Sequence, residues 1–209
     1  MVKNYQDSMT RKTFAKLDEC DVPDAPATDF ADCAWLFRPN ERKFSAKWTI
    51  RMGVREAAMI YRYARGQDCA EIGRCIGGST IVLATAAESL YSVDICPVDD
   101  AALDRALIKM RLRHKVTLIE ADSGDHDPIR YDFGFLFIDG DHTYDGVRDD
   151  FDNWAQYVAV GGHIAFHDMI QIPGVKPNSV MEYYAEVSKI SWIKEVEQAD
   201  STVVFRRIQ

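Results

Sequence analysis

Residues 133–139 read FGFLFID, an unbroken apolar run closed by an acid. A strand that presents apolar side chains on both faces needs cover on both, which is the position of a central strand in a parallel sheet flanked by helices. That requirement places the chain among the α/β folds.

The surrounding sequence has the matching rhythm. Val54, Ala57, Tyr61 and Ala64 recur at helical spacing and precede a short strand, Asp68 to Ile72. A helix is predicted from about Ser79 to Ser89 and a strand from Leu90 to Ile95. In the next helix Asp99 or Asp100 caps the amino end, and Leu103, Ala106, Leu107 and Met110 share a face. A third strand spans Lys115 to Ala121, ahead of FGFLFID. Val147, Phe151, Trp154 and Val158 then mark a helix expected to end at Gly161 and Gly162, before the strand HIAFHD. A last helix, about Ser179 to Ser188, leads into two β-rich segments, Trp192–Glu197 and Thr202–Arg207, joined by the turn-like residues 198–201. Five parallel strands and a terminal antiparallel hairpin make a seven-stranded sheet, which resembles the Rossmann-like sheet of class I methyltransferases.

The first fifty residues differ in character. Pro23, Pro26 and Pro39 lie among Phe14, Phe30, Trp35, Phe37, Phe44 and Trp48, a pattern for short helices and loops packed on a core formed later in the chain. We therefore divide the chain into a cap or lid segment, 1–50, and a ligand-binding domain, 51–209; a plain covering arm is the alternative role for the first. A length of 209 residues and a 47% hydrophobic, 28% charged composition suit a single folded enzyme-sized body. The net charge of −8 argues against a nucleic-acid partner, whose backbone demands a cationic footprint. The strongest local exception is Arg105, Lys109, Arg111, Arg113 and Lys115. Five cysteines without a CxxC pair indicate neither a disulfide framework nor a zinc ribbon. The polar amino terminus and the lack of a long apolar run imply a cytoplasmic protein with no membrane partner. Homo-oligomerisation stays open.

DCAEIGRCIGGST, residues 68–80, lies where the first strand meets its helix. Glycines let a backbone approach a ligand closely, and a helix start at Gly77, Gly78 and Ser79 offers unpaired amides. The same glycines also suit a tight loop that needs them for conformation only. A dinucleotide site calls for GxGxxG, whereas Gly73, Gly77 and Gly78 are spaced GxxxGG behind the acidic Glu71. This segment resembles the S-adenosylmethionine (SAM) motif of class I methyltransferases, with Cys75 in place of the middle glycine. Asp94, ending the second strand, is placed to accept hydrogen bonds from two ribose hydroxyls. By the resemblance, Asp122 and Ser123 face the adenine.

The segments DGDHTY, starting at Asp139, and GGHIAFHD, Gly161 to Asp168, together resemble a bacterial family of small methyltransferases related to the macrocin O-methyltransferase and cephalosporin-hydroxylase-like groups, over about residues 53–190. Asp139, Asp141, His142, His167 and Asp168 are expected at one sheet edge, with Asp139 serving both cofactor and chemistry. Crowded carboxylates call for a cation or a hydrogen-bond network. Similarity to the catechol-type enzymes implies a divalent ion such as Mg2+ on Asp139 and Asp168, with His167, although Met169 stands where those enzymes carry Asn. His142, a near-neutral imidazole three residues after Asp139, is the expected general base. Tyr144 and the loop 171–178 are candidates to border the acceptor, and Trp154 is expected in the core. The expected activity is transfer of a methyl group from SAM to a hydroxyl of a sugar or other small-molecule acceptor. An NAD- or nucleotide-sugar-dependent oxidoreductase and a non-catalytic SAM-binding module are the competing readings.

Overall fold

The computed structural model describes residues 17–37, 49–128, 132–171 and 179–209. Seven strands form one sheet: β1 (Asp68–Ile72), β2 (Ser89–Asp94), β3 (Val116–Glu120), β4 (Phe133–Ile138), β5 (Val158–Phe166), β6 (Ile193–Ala199) and β7 (Thr202–Arg207). Their order is β3-β2-β1-β4-β5-β7-β6. The first five run parallel, and β7 lies antiparallel between β5 and β6. Helices α1 (Val54–Ala64), α2 (Gly78–Ala86), α3 (Asp100–Lys109), α4 (Tyr144–Trp154) and α5 (Val180–Val187) provide the cover.

The central place expected for FGFLFI holds, because β4 pairs with β1 on one side and β5 on the other. Its side chains divide between two cores. Phe135 and Phe137 pack toward α1, α2 and α3, while Leu136 and Ile138 pack toward α4 and α5. Trp154 is buried in the second core, as its place on the apolar stripe required. The second face of α1 is set differently from the sequence reading: Ala57, Met59, Ile60 and Ala64 are buried, whereas Val54 is exposed.

One boundary is corrected. The helix bearing Val147, Phe151 and Trp154 ends at Trp154 and does not reach Gly161 and Gly162; Val158 already begins β5, and both glycines lie inside that strand. Phe133 pairs with Val158 but Phe135 pairs with His163, so β5 bulges in between. Gly161 does have the left-handed φ of +91° that glycine favours, but uses it to turn a bulge rather than to stop a helix. Residues Arg113–Lys115 likewise form a 3-10 turn ahead of β3.

Every residue of α2 is buried. A helix apolar on all sides needs cover on its outer face too. The 3-10 segment Phe30–Phe37 packs there, and Leu17, Cys33 and Leu36 join the same core as α1 and α2. Phe14, Pro39, Phe44, Trp48 and loop residues 172–178 lie outside the described residues.

Candidate functional site

The sheet order reverses between β1 and β4, where open α/β sheets form a crevice at the carboxyl ends of their strands. The residue after each strand stays in register: Gly73 N–H donates to Val93 O at 2.8 Å, Asp139 N–H to Ile72 O at 2.8 Å, and His167 N–H to Ile138 O at 3.0 Å. Three expected site residues are thereby brought side by side by the ladder itself.

Around the glycine turn the structure sharpens the sequence reading. A side chain on Gly73, whose φ is +84°, would overlap the Asp139 carbonyl. One on Gly77 (φ +90°) would stand 2.5 Å from Leu103, and one on Gly78 would stand 2.7 Å from Thr49 O. Each glycine is thus required by a neighbouring protein segment. Cys75, at the middle position, adopts the left-handed region with φ +52°. Burial pushes its thiol up to about 11, which keeps it from serving as a thiolate.

Glu71 lies beneath the turn, fully buried. Its carboxylate accepts hydrogen bonds from Ser79 Oγ (2.6 Å), Thr80 Oγ1 (2.7 Å) and Ser92 Oγ (2.6 Å). Burial nevertheless raises it to about 7 against those three hydroxyls. Asp94 gathers the turn from its open side: Oδ2 accepts from the amides of Arg74 (2.9 Å) and Cys75 (2.8 Å), and Oδ1 from that of Cys96 (2.7 Å). A carboxylate offers about four acceptor positions, so Asp94 keeps capacity for a ribose hydroxyl. Arg74, passed over in the sequence, is buried with its guanidinium forked on Asp100 (2.8 and 2.5 Å) and donating to Ser92 O and Ile119 O. It locks the start of α3 to the ends of β2 and β3.

The acid- and histidine-rich edge assembles as expected, with a different internal logic. Asp139 Oδ1 accepts from His142 Nε2 and from His167 Nδ1, both at 3.2 Å. His142 Nδ1 stands 3.5 Å from Asp168 Oδ2. The buried His167 also turns Nε2 toward Glu56 Oε1 at 3.7 Å, an ionic approach beyond hydrogen-bond distance. Glu56 on α1 is itself held by Ser201, Thr202 and the Gly53 amide. Burial would raise Asp139, but the His167 charge and hydrogen bonds from His142 and His167 hold it below the usual carboxylate range. The hydrogen bond to Asp139 raises His142 against its partial desolvation.

The expected metal ligands Asp139, His167 and Asp168 stand together at this edge. His167 Nδ1 stands 3.2 Å from Asp139 Oδ1 and 3.6 Å from Asp168 Oδ1, while its Nε2 faces Glu56. Among the described residues no group of three or more His, Cys, Asp or Glu side chains is arranged to hold a metal ion. The imidazoles of His142 and His167 relieve the crowding around Asp139.

Asp122 is exposed, and its Oδ1 accepts the Gly124 amide at 2.9 Å. Ser123 is half-buried: its hydroxyl donates to Asp150 Oδ1 at 2.5 Å, and its carbonyl accepts Trp154 Nε1–H at 3.0 Å. Sequence reading missed Asp150, although an acid at i+3 within the stripe Val147, Phe151, Trp154 signals a buried carboxylate. Of the basic patch, Arg105 pairs with Asp18, Arg111 with Asp24 and Arg113 with Asp104, while Lys115 donates to Ala87 O at 2.7 Å. These partners neutralise or tie down most of the patch.

Comparison with known proteins bears on this geometry. Residues 70–169 match the model of a methyltransferase domain family. The O-methyltransferase TomG of Streptomyces achromogenes, involved in tomaymycin synthesis and solved with SAM, superposes with a TM-score of 0.63 at 15% identity, covering 77% of this chain and 83% of TomG.

This is a methyltransferase fold.

The N-methyltransferase NodS of Bradyrhizobium japonicum, solved with S-adenosylhomocysteine, shares it with a TM-score of 0.53 at 19% identity over 74% of this chain and 86% of NodS. So does an rRNA methylase of Streptococcus thermophilus, with a TM-score of 0.57 at 12% identity over 74% of this chain and 95% of its own. The methyltransferase fold and the match over residues 70–169 support SAM-dependent methyl transfer as the coarse activity. At these identities the neighbours establish the fold, and they span oxygen, nitrogen and rRNA acceptors. No helix among the described residues is long and apolar enough to cross a membrane.

Proposed function

We propose that the chain transfers a methyl group from SAM to an oxygen of a small-molecule acceptor, a sugar or natural-product hydroxyl, with His142 as general base. The observation that carries this reading is the Asp139–His142 pair standing beside Gly73 at the switch point. In this reading the glycine turn at Gly73, Gly77, Gly78 and Ser79, shaped from below by Glu71, receives the cofactor; Asp94 accepts the ribose and Asp122 and Ser123 flank the adenine. Asp139 borders the cofactor and holds His142. Residues 1–50 form the cap and 51–209 the SAM-binding domain, in the cytoplasm.

When bound, SAM supplies an activated methyl group, so the protein's share is alignment and proton removal. With Nε2–H donated to Asp139, a neutral His142 presents Nδ1 to the acceptor hydroxyl. Asp139 and Asp168 then stabilise the imidazolium that forms. The antiparallel β7 and the GxxxGG spacing favour SAM over a dinucleotide.

Calorimetric titration with SAM and with NAD tests the first half; binding of NAD and not SAM would favour the oxidoreductase. For the second half, label transfer from methyl-labelled SAM to a panel of hydroxylated sugars and natural products is the assay. His142→Ala is expected to lower turnover by about a hundredfold or more while leaving SAM affinity within a few-fold. SAM binding with no transfer to any acceptor would favour the non-catalytic module.

A further inference from the structure

Two loops flank the proposed adenine position, one after β3 and one after β4, and a single buried side chain touches both. Asp150 projects from α4 with 6% of its surface exposed. Its Oδ1 accepts the Ser123 hydroxyl at 2.5 Å, fixing the β3 loop. Its Oδ2 is lodged against Gly140 in the β4 loop, so that a side chain there would stand 2.6 Å from it. One turn further along α4, Trp154 Nε1–H holds the Ser123 carbonyl at 3.0 Å, and Trp154 is itself buried. Below, Tyr91 OH lies 2.6 Å from His126 Nε2, and Tyr157 OH donates to Asp127 Oδ1 at 3.1 Å. The β3 loop is thus anchored at Ser123, His126 and Asp127, while the side chain of Asp122 is exposed.

An acid buried this deeply carries a desolvation cost, and a core position would take an apolar residue more cheaply. Its neighbours Asp122 and Asp141 add repulsion to burial, which together push Asp150 up to about 6. Packing gives no reason for a carboxyl group here. The two loops do, because the group that fixes Ser123 and the group that fills the space over Gly140 are the two oxygens of one side chain.

We infer that Asp150 is a positioning residue for adenine recognition: it sets the β3 loop against the β4 loop so that Asp122 meets the exocyclic amine of the base. The inference rests on the SAM-binding reading above and adds the residue that confers base discrimination. A carboxylate correctly placed accepts from an amine and repels the 6-oxo group that replaces it in hypoxanthine. A loop free to shift loses that distinction.

The test compares binding of S-adenosylhomocysteine with that of S-inosylhomocysteine by calorimetry. The wild type is expected to prefer the adenosyl compound by about tenfold or more, the size of one hydrogen bond to a charged group. Asp150→Ala should bring the ratio close to one, whereas Asp150→Asn, whose amide oxygen still accepts from Ser123, should keep most of it. Ser123→Ala, a milder change, should lower the ratio as well, and the Asp150→Ala/Ser123→Ala double variant should be no worse than Asp150→Ala alone. General loosening of the fold would weaken both ligands equally and leave the ratio intact. A ratio unchanged in both alanine variants, or absent in a wild type that binds S-adenosylhomocysteine, overturns the role of Asp150. A wild type that binds neither compound overturns the SAM reading itself.

Discussion

Six of the eight residues of DGDHTYDG have a distinct physical duty. Asp139 receives two imidazoles, and Gly140 leaves room for Asp150. Asp141 accepts the Thr143 amide (3.2 Å) and hydroxyl (3.0 Å), while Thr143 caps α4 by accepting the Gly146 amide at 3.0 Å. Gly146 in turn clears space for Asp141. His142 meets Asp139 through Nε2 and faces Asp168 through Nδ1. Glu71 shows the same single-residue logic in its titration. Its folded-state value of about 7 lies above the ordinary 4.5, so the folded protein holds a proton that the unfolded chain releases. Stability is then fully present below pH 4.5 and declines as pH rises through about 7. Asp150, up at about 6, has the same sign at lower pH, and His142 and His167, raised above 6.5, have it at higher pH. The melting temperature of the wild type should therefore fall between pH 5 and pH 7, and Glu71→Gln should shrink that fall by about 5 °C. An equally steep fall in the variant would remove Glu71 as its source.

At the scale of elements, strand ends and helix starts are clamped by side chains reaching across from their neighbours: Asp94 grips the turn after β1, Arg74 the start of α3, and Asp150 the loops after β3 and β4. The glycines belong to this clamping. Gly73 and Gly66 both have left-handed φ, +84° and +68°, but only Gly73 has backbone where a side chain would go; Gly66 faces open space. Gly66→Ala should cost about 1 kcal/mol, the conformational penalty alone. Gly73→Ala must also displace Asp139 and should cost more than about 4 kcal/mol, along with SAM binding. Urea melts of the two variants read the difference, and similar losses would mean that the β1–β4 contact yields easily.

The molecule as a whole is one sheet with two cores, and its amino-terminal part completes the first of them. Leu36 is fully buried in the core that contains α1 and α2. Leu36→Ala should cost about 3 kcal/mol, lowering the melting temperature by about 9 °C. A loss below 1 kcal/mol would instead mark residues 30–37 as a layer that detaches easily, as a lid must.

Sequence alone determined the order and kind of the elements and which residues meet at the carboxyl edge, because strand and helix periodicities and turn chemistry are local and the parallel sheet allows few arrangements. It misjudged Gly161 and Gly162 because a glycine's positive φ serves a bulge as readily as a helix stop. The tertiary structure alone decided what each site residue touches. That Glu71 lies under the turn, that His167 faces the carboxylates, and that Glu56 and Asp150 support the site from α1 and α4 follow from contacts between residues far apart in the chain. Hydrogen-bond partners across such distances leave no periodic signal in the sequence; only the packing of the sheet against its helices selects them.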